Sequence, residues 1–255
     1  MEALQGRRVV VTGASSGIGA AVVRAVAAAG GRVGLLARRA DRLAALADEV
    51  GGHAAAADVT DPDAVTAALA RLAGSLGGLD AVVAAAGTMH LGAVADTDPR
   101  RWREVFDVNV GGLLATAHAA LPHLGEGASF VTISSMSGRR VPSAAGGVYA
   151  ASKHAAHAVD ETLRREAGAR GVRVTTVAPG FVATDLMVGD AARDDVAAFR
   201  ERMHDLGLTP EHVAAAVVHV LGLPPEVCVV EYALTSTAQQ QQGDGAQRSS
   251  TRQQQ

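Results

Sequence analysis

The sequence is poor in cysteine, aromatic residues and positive charge, and each shortage excludes a class of protein. Its 255 residues include one cysteine, Cys228, so no disulfide can form within the chain. Aromatic residues make up only 3%, and the core must therefore be built from Val, Leu and Ala. The formal net charge of -3 argues against a nucleic-acid partner, which usually requires a basic surface.

Long apolar runs are also missing. No uninterrupted apolar stretch reaches the length that a membrane-spanning helix needs. The opening residues, MEALQGRRVVVTG, lack the apolar region of a signal peptide and turn at once into a strand-like run. We therefore expect a soluble cytoplasmic protein without a membrane partner.

What the chain does contain is a regular alternation of apolar runs and helical patterns. Continuously apolar strands indicate burial on both faces, hence a parallel sheet covered by helices. We predict a single α/β domain with a doubly wound, mostly parallel seven-stranded sheet and helices on both faces, the Rossmann fold. The predicted strands lie at 7–13, 31–38, 53–59, 79–87, 128–135, 172–180 and 226–234.

The domain is predicted to span residues 1–237. From residue 238 the sequence AQQQQGDGAQRSSTRQQQ is polar and without periodicity, which predicts a disordered Gln-rich tail over 238–255. Three helix starts are marked by a capping side chain followed by proline, at Asp61-Pro62, Asp98-Pro99 and Thr209-Pro210.

A glycine-rich loop, TGASSGIG at 12–19, follows the first strand. Its spacing differs from the usual G-x-G-x-x-G dinucleotide fingerprint, but the physical roles are the same. Gly13 permits the turn out of the strand, Gly17 lets the backbone approach a pyrophosphate, and Gly19 lets the helix pack close to the sheet. The amides at the start of that helix then face the phosphates, which predicts dinucleotide binding.

The second strand ends in Ala37, Arg38 and Arg39, where NAD-binding folds usually carry an acid that holds the ribose. These arginines would attract a 2′-phosphate, which favours NADP(H) over NAD(H). One of the two could be merely solvated, and Arg39 is the better candidate for that. Asp58, at the end of the third strand, could bind the adenine amino group or serve as a turn residue.

Tyr149 and Lys153 lie four residues apart and hence on one face of a helix. They could be a solvated surface pair or a tuned proton donor. Other polar residues follow predicted strands or interrupt helices: Ser134 and Ser135, Asn109, and Thr184. Because strand carboxyl ends form the ligand crevice of a doubly wound sheet, this pattern favours the proton donor.

The chain resembles a classical short-chain dehydrogenase/reductase. The matching motifs are T-G-x-x-x-G-x-G at 12–19, Asn109, the serine before the helix, Y-x-x-x-K at 149–153 and P-G-x-x-x-T at 179–184, in the family's order over residues 7–237. The C-terminal part also resembles the NADP-dependent subgroup that includes 3-hydroxy acid and serine dehydrogenases and clavulanate-type aldehyde reductases.

The resemblance implies a role for each matching residue. Tyr149 would be the general acid/base, and Lys153 would hold the nicotinamide ribose and lower the pKa of the phenol. Ser135 would hydrogen-bond the substrate carbonyl or alcohol. Asn109 would kink its helix and position a water that relays protons to Lys153. No zinc-like spacing of Cys, His and Asp is present, so we expect no metal.

The expected cofactor and substrate residues extend around these motifs. The predicted cofactor residues, besides Tyr149 and Lys153, are Gly13, Ser15, Ser16, Gly17, Ile18, Gly19, Arg38, Arg39, Asp58, Val59, Ala85, Gly87, Pro179, Gly180, Val182 and Thr184. The predicted substrate residues are His90, Ser135, Met136, Phe181 and Met187. The stretch from Phe181 to Leu208 interrupts the strand–helix rhythm and is predicted to be a lid over the substrate.

Two features depart from the family pattern. The family's N-N-A-G is replaced by Ala84-Ala85-Ala86-Gly87, which removes side-chain support from the loop over the cofactor. Ser135 stands fourteen positions before Tyr149, one more than is commonest, so Ser134 and Ser137 are alternatives.

The predicted function is an NADP(H)-dependent oxidoreductase that interconverts a carbonyl (an aldehyde, ketone or 3-oxo acid) and an alcohol. The alternative is a non-enzymatic NADP(H) sensor, which we would expect to lose the Tyr149/Lys153 pair. A nucleotide-sugar epimerase is disfavoured because the C-terminal part leaves little room for a sugar-nucleotide domain. The family resemblance implies a homodimer or homotetramer that acts on a small molecule.

Overall fold

The computed structural model describes residues 3–186 and 194–241. Its strands are β1 (Arg8–Thr12), β2 (Arg32–Ala37), β3 (His53–Ala56), β4 (Ala81–Ala84), β5 (Ser129–Ile133), β6 (Arg173–Pro179) and β7 (Glu231–Leu234). All seven pair in parallel in one sheet of order β3-β2-β1-β4-β5-β6-β7. The predicted single-domain Rossmann fold is confirmed.

Helices connect and cover the strands. They are α1 (Gly17–Ala28), α2 (Ala40–Val50), α3 (Pro62–Leu76), α4 (Pro99–Phe106), α5 (Gly112–Ala120), α6 (Gly147–Gly168), α7 (Asp194–Leu206) and α8 (Pro210–Gly222). A π-helical turn, Asp107–Gly111, joins α4 to α5, and a 3-10 turn, Met136–Gly138, follows β5. Among the described residues, no helix is both long and apolar enough to cross a membrane.

The two faces of the sheet bury separate cores. Val10 of β1 packs into a cluster with residues of α3, α5 and α6, whereas its neighbours Val9 and Val11 pack with residues of α1, α2 and α8. Successive strand residues point to opposite faces, so a continuously apolar strand is what this two-sided burial requires. Helices on both faces therefore follow directly from the apolar runs of the sequence.

The chain reverses its direction of travel across the sheet between β1 and β4. Strands β1, β2 and β3 run outward in one direction, and β4 to β7 run in the other. In doubly wound sheets the crevice at such a switch point, beyond the carboxyl ends of the strands, is where ligands bind. Here that edge is formed by the last residues of β1, β4, β5 and β6.

The structure differs from the sequence-based boundaries mainly near the C-terminus. Strand β7 begins at Glu231, whereas the prediction starts it at 226, where the chain forms a turn closed by the Val227 N–H and the carbonyl oxygen of Pro224. Residues 237–241 form a helical turn, so the described structure continues past the predicted domain end at residue 237. The rest of the predicted tail, from residue 242, lies outside the described residues.

The start of α3 shows how the predicted caps work. One carboxylate oxygen of Asp61 accepts hydrogen bonds from the backbone N–H groups of Asp63 at 3.1 Å and Ala64 at 3.0 Å. Pro62 occupies the first helical position, where no N–H donor is needed.

We expect Asp61→Ala to lower the free energy of unfolding by about 1 kcal/mol, because two helix-start N–H groups lose their acceptor. Urea denaturation followed by circular dichroism measures the change. Asp61→Asn is the control, since its amide oxygen can cap the helix equally well. Equal losses in the two variants would contradict the capping role.

Candidate active site

The loop between β1 and α1 is shaped for close approach of a ligand to backbone. Gly13 and Gly17 have φ values of 66° and 52°, in the left-handed region that favours glycine. A Cβ at Gly13 would lie 2.8 Å from the backbone of Ala85, and one at Gly19 would lie 2.3 Å from the carbonyl oxygen of Gly13. The three predicted glycines therefore stand where a side chain would deform the loop.

The N-terminus of α1 opens toward the same crevice. Its N-cap residue, Ser16, makes no side-chain capping bond. The first-turn N–H groups of a helix carry partial positive charge and bind phosphate when no side chain caps them. Gly17, Ile18 and Gly19 form that first turn, which fits the predicted pyrophosphate position.

Of the two predicted arginines, Arg39 is the one held on the glycine loop. Its guanidinium donates hydrogen bonds to the hydroxyls of Ser15 at 2.8 Å and Ser16 at 2.7 Å. Arg38 lies 3.7 Å from a carboxylate oxygen of Asp58 and its side chain is 71% exposed. The sequence analysis favours Arg39 as the solvated residue, whereas the structure anchors it because two hydroxyls are within reach.

The contacts of Asp58 are those of a turn residue. One carboxylate oxygen accepts from the backbone N–H of Thr60 at 3.0 Å and from its hydroxyl at 2.9 Å. The next residue, Val59, is buried in the core. Of the two roles considered for Asp58, the turn is the one that these contacts show.

Thr12 supports the segment in which alanines replace the family's asparagines. Its hydroxyl oxygen accepts from the N–H groups of Ala85 at 3.2 Å and Ala86 at 3.4 Å. Beneath this segment lies a small cavity lined by Thr12, Ala84, Asn109, Thr132, Lys153 and neighbouring apolar residues. The cavity volume is about 10 Å³, close to what one water molecule needs.

Asn109 lies in the π-helical turn between α4 and α5, and the family resemblance predicts a helix kink at this residue. Its side-chain oxygen accepts from the N–H of Thr88 at 2.8 Å, and its amide donates to the carbonyl oxygen of Thr88 at 2.9 Å and to Ser152 at 3.0 Å. The Ser152 hydroxyl in turn donates to the carbonyl oxygen of Tyr149 at 2.7 Å. Asn109 therefore ties the loop after β4 to the turn of α6 that carries Tyr149 and Lys153.

Tyr149, Lys153 and Ser135 meet at the carboxyl end of β5. Tyr149 is 6% exposed and Lys153 5%, so the pair is not a solvated surface pair. The Lys153 ammonium lies 5.8 Å from the centre of the Tyr149 ring and donates to the carbonyl oxygen of Ile133 at 3.1 Å. The Ser135 side chain is close enough to Tyr149 to lower its pKa, which favours Ser135 over Ser134 and Ser137 as the serine of the site.

Burial governs the pKa values of this pair. It raises the pKa of Tyr149 to about 12, and the Ser135 side chain acts in the opposite direction. It lowers the pKa of Lys153 to about 8. Each shift is the one that removal of a charge from water produces. The expected lowering of the phenol pKa therefore needs positive charge beyond what the chain alone brings to Tyr149.

The loop after β6 is held by a residue that the sequence analysis missed. Gln239 accepts from the N–H of Phe181 at 2.9 Å and from the hydroxyl of Thr235 at 2.8 Å. A Cβ at Gly180 would lie 2.4 Å from the Gln239 side-chain oxygen. Within the Gln-rich run no periodic signal distinguishes Gln239 from its neighbours, so only the fold reveals this contact.

The remaining residues of the P-G-x-x-x-T motif line the same edge. Gly180 donates its N–H to the carbonyl oxygen of Leu234 at 2.8 Å, and Val182 is buried in the core. The side chain of Thr184 faces Gly17, since a Cβ there would lie 3.3 Å from a Thr184 methyl group. The motif therefore reaches the glycine loop from the opposite side of the crevice.

The predicted substrate residues fall into different surroundings. Phe181 joins an apolar cluster around Tyr149 that includes Met89, and its ring packs edge-on against Phe199 with centroids 5.4 Å apart. Met136 is half-buried in the turn after Ser135. The His90 ring lies 2.9 Å from a carboxylate oxygen of Glu104 and is only 8% exposed.

The described residues include only part of the predicted lid over the substrate. Met187 lies outside the described residues, as does the part of the predicted lid over 187–193. The remainder of that stretch contains α7, which contributes Phe199 to the cluster around Tyr149. Within residues 3–186 and 194–241, no group of three or more His, Cys, Asp or Glu side chains could hold a metal.

We expect Gly19→Ala to abolish NADP⁺ binding, because the new methyl group would meet the carbonyl oxygen of Gly13 and displace the loop. Isothermal titration calorimetry with NADP⁺ measures the loss. Gly74→Ala is the matched control: it lies in α3, and its Cβ would meet no atom within 4 Å. Unchanged binding by Gly19→Ala would show that the loop does not hold the dinucleotide.

Comparison with known proteins agrees with this geometry. The sequence profile of the short chain dehydrogenase family matches residues 7–195. An uncharacterised oxidoreductase of Mycobacterium tuberculosis is 44% identical over 223 residues, which cover 85% of this chain and 84% of that protein. A glycine betaine reductase of Emericella nidulans is 37% identical over 236 residues, 89% of this chain but only 18% of that much longer protein.

Solved structures show the same fold. A short-chain dehydrogenase from Burkholderia cenocepacia in complex with NADP superposes with a TM-score of 0.80 at 34% identity, covering 92% of this chain and 99% of that one. The glycine loop, the buried Tyr149/Lys153 pair and the matched profile lead to one conclusion. The chain belongs to the short-chain dehydrogenase/reductase family of oxidoreductases.

Proposed function

We propose that the protein is an NADP(H)-dependent oxidoreductase that interconverts a carbonyl and an alcohol. The observation that carries the proposal is the buried Tyr149, set beside Lys153 and close enough to Ser135 for that side chain to lower its pKa, at the edge that the glycine loop shares. Carbonyl reduction needs three groups around the reacting oxygen: a hydroxyl that acts as general acid, a second hydrogen-bond donor and a cation.

The chain's own residues act on the proton and on the developing charge. When bound, the nicotinamide supplies or accepts the hydride. In the reducing direction Tyr149 donates its phenolic proton to the carbonyl oxygen as negative charge develops there. Ser135 stabilises that oxygen by a hydrogen bond and needs no base, because it is not a nucleophile. In the oxidising direction the phenolate takes the alcohol proton back.

In this proposal Lys153 adjusts the pKa of Tyr149, and Asn109 holds the helix that carries Tyr149. The positive charge of Lys153 favours the phenolate and so opposes the effect of burial on the Tyr149 pKa. Asn109 holds α6 through Ser152, and a water in the adjoining cavity would connect the Lys153 ammonium to the polar groups lining that space. Proton exchange with Tyr149 then passes through groups fixed by the fold.

The cofactor preference for NADP(H) rests on the end of β2. Ala37 stands where an acid would repel a 2′-phosphate, and Arg39 lies across the hydroxyls of Ser15 and Ser16. A guanidinium already held over a phosphate-binding loop contacts a 2′-phosphate without further ordering of its side chain. NAD(H), which lacks that phosphate, would gain nothing from the contact.

The substrate is proposed as a small aldehyde, ketone or 3-oxo acid, within the 3-hydroxy acid dehydrogenase and aldehyde reductase subgroup that the C-terminal part resembles. An apolar cluster that includes Met89 and Phe181 packs beside Tyr149, which supports a compact substrate with an apolar part next to its carbonyl. A homodimer or homotetramer is proposed as the assembly. It is supported by the exposed apolar side chains Phe106 of α4 and Leu114 of α5.

Tyr149→Phe should lower turnover at least a thousandfold, roughly the upper range for loss of a general acid, while NADPH binding is kept. Loss of nicotinamide absorbance with a panel of small aldehydes, ketones and 3-oxo acids measures turnover, and calorimetry measures binding. Turnover by Tyr149→Phe equal to wild type would refute the mechanism. Binding of NADPH by wild type with no turnover on any panel member would instead favour the sensor.

Arg39→Ala should raise the KM for NADPH about tenfold or more and leave that for NADH nearly unchanged, since only a charge-assisted phosphate contact is lost. Steady-state kinetics with both cofactors provides the comparison. Arg38→Ala is the companion variant and should have the smaller effect, because Arg38 is turned toward Asp58. A parallel loss with NADH would mean that Arg39 supports the loop rather than selecting the phosphate.

A further inference from the structure

Helix α6 contains a fully buried carboxyl group to which the mechanism above gives no role. Asp160 has no exposed surface, and its two carboxylate oxygens accept hydrogen bonds from the hydroxyls of Thr132 and Thr176, each at 2.6 Å. Thr132 on β5 and Thr176 on β6 are register partners in the parallel sheet. Asp160 therefore spans two neighbouring strands and fastens α6 to both.

The fold needs the shape of this group more than its charge. Burial raises the pKa of Asp160 to about 6, so the ionised form costs folding free energy at neutral pH. A neutral amide of the same size could accept from one threonine hydroxyl and donate to the other. An aspartate at this position therefore indicates a role that depends on its negative charge and that an amide could not perform.

Lys153 is a buried positive group on which this charge can act. It stands seven residues before Asp160 on α6, about two turns away, and so on the same helical face. Thr132 directly precedes Ile133, whose carbonyl oxygen accepts from Lys153. Thr132 and Lys153 also line the same small cavity. The Asp160 charge opposes the lowering of the Lys153 pKa by burial.

We propose that Asp160 is a positioning residue for the Tyr149–Lys153 pair. Its buried carboxylate seats α6 on β5 and β6 and supplies the negative charge that keeps Lys153 protonated. The proposal rests on the proposed function for its catalytic meaning, but the charge relation between Asp160 and Lys153 can be measured without a substrate.

The other ionisable groups near these two residues are few. Arg164, one turn beyond Asp160 on α6, lowers the Asp160 pKa together with Lys153, and the facing strands contribute only the two threonines. His157, between Lys153 and Asp160 on α6, has a pKa lowered by burial and is further influenced by Glu231 of β7 and by Arg139. Above neutral pH His157 is uncharged, so a titration there reports Lys153.

A single lysine makes the measurement direct. Lys153 is the one lysine among the 255 residues, so protein labelled with ¹³C and ¹⁵N in lysine gives one lysine side-chain resonance to titrate. We expect Asp160→Asn to lower the pKa of Lys153 by about one unit, because a negative neighbour in low dielectric is removed. Asp160→Ser is the second neutral variant if the amide perturbs folding.

Asp80→Asn is the matched control. Like Asp160, Asp80 has a carboxylate held by hydrogen bonds, but it is only partly buried. Its three bonds come from Arg8, at the opposite end of the sheet. Its loss should weaken the fold and leave the Lys153 titration in place. A Lys153 pKa that is equal in wild type and in both Asp160 variants would overturn the proposal.

The pH dependence of carbonyl reduction gives the catalytic readout. Reduction requires the protonated phenol with the Lys153 ammonium beside it, and the Asp160 charge keeps that ammonium protonated to higher pH. In Asp160→Asn the basic limb of kcat/KM should therefore move to lower pH by about one unit. A purely structural role would lower activity at every pH without moving the limb. Absence of turnover in wild type would count against the proposed function alone, since the resonance titration still decides the role of Asp160.

Discussion

The seat of α6 on β5 and β6 is the constraint on which the site depends. Tyr149 and Lys153 are adjacent on one face of this helix, but Ser135 and the loop after β6 belong to the strands beneath it. Three buried contacts fix the helix in place: Asp160 with its two threonines, Lys153 with the carbonyl oxygen of Ile133, and Ser152 with Asn109. A site built on such rigid elements holds its geometry without help from mobile loops.

The same burial that fixes the helix creates an electrostatic problem. A buried phenol resists ionisation and a buried ammonium resists protonation, so both members of the pair are pushed toward their neutral forms. Proton transfer requires the charged forms to be reachable near neutral pH. The Asp160 carboxylate favours the ammonium, and the ammonium favours the phenolate. Charges placed in sequence along one helix thus act against the neutral forms that burial favours, but by themselves they do not bring the Tyr149 pKa below its ordinary value.

Much of the fold could be predicted from the sequence because its signals are local. Continuously apolar runs such as VVV at 9–11 locate the strands, and Asp61-Pro62 locates a helix start. The first part of the last predicted strand was wrong: β7 starts only at Glu231, since the predicted strand begins within a turn closed by the Val227 N–H and the carbonyl oxygen of Pro224. Spacing also located the glycine loop and the Tyr149/Lys153 pair, whose partners lie within a few residues.

What the sequence could not indicate depends on contacts between distant segments. Asp160 lies in a polar stretch of α6 that is typical of an exposed face, and its partners are 28 and 16 residues away on two strands. Gln239 is hidden in a Gln-rich run, yet it reaches Phe181 across 58 residues. Which of Arg38 and Arg39 lies on the glycine loop depends on the direction of the chain at the end of β2, which composition does not encode.

The activity that we propose for this chain is transfer of a hydride between a nicotinamide and a carbonyl carbon. The most direct measurement is the fate of deuterium carried at the reactive C4 position of NADPH, followed by mass spectrometry of the alcohol formed from an active carbonyl. We expect one deuterium bound to the carbinol carbon of the product and none exchanged from solvent at that position. Product that forms without the label, or that takes its carbon-bound hydrogen from water, would contradict it.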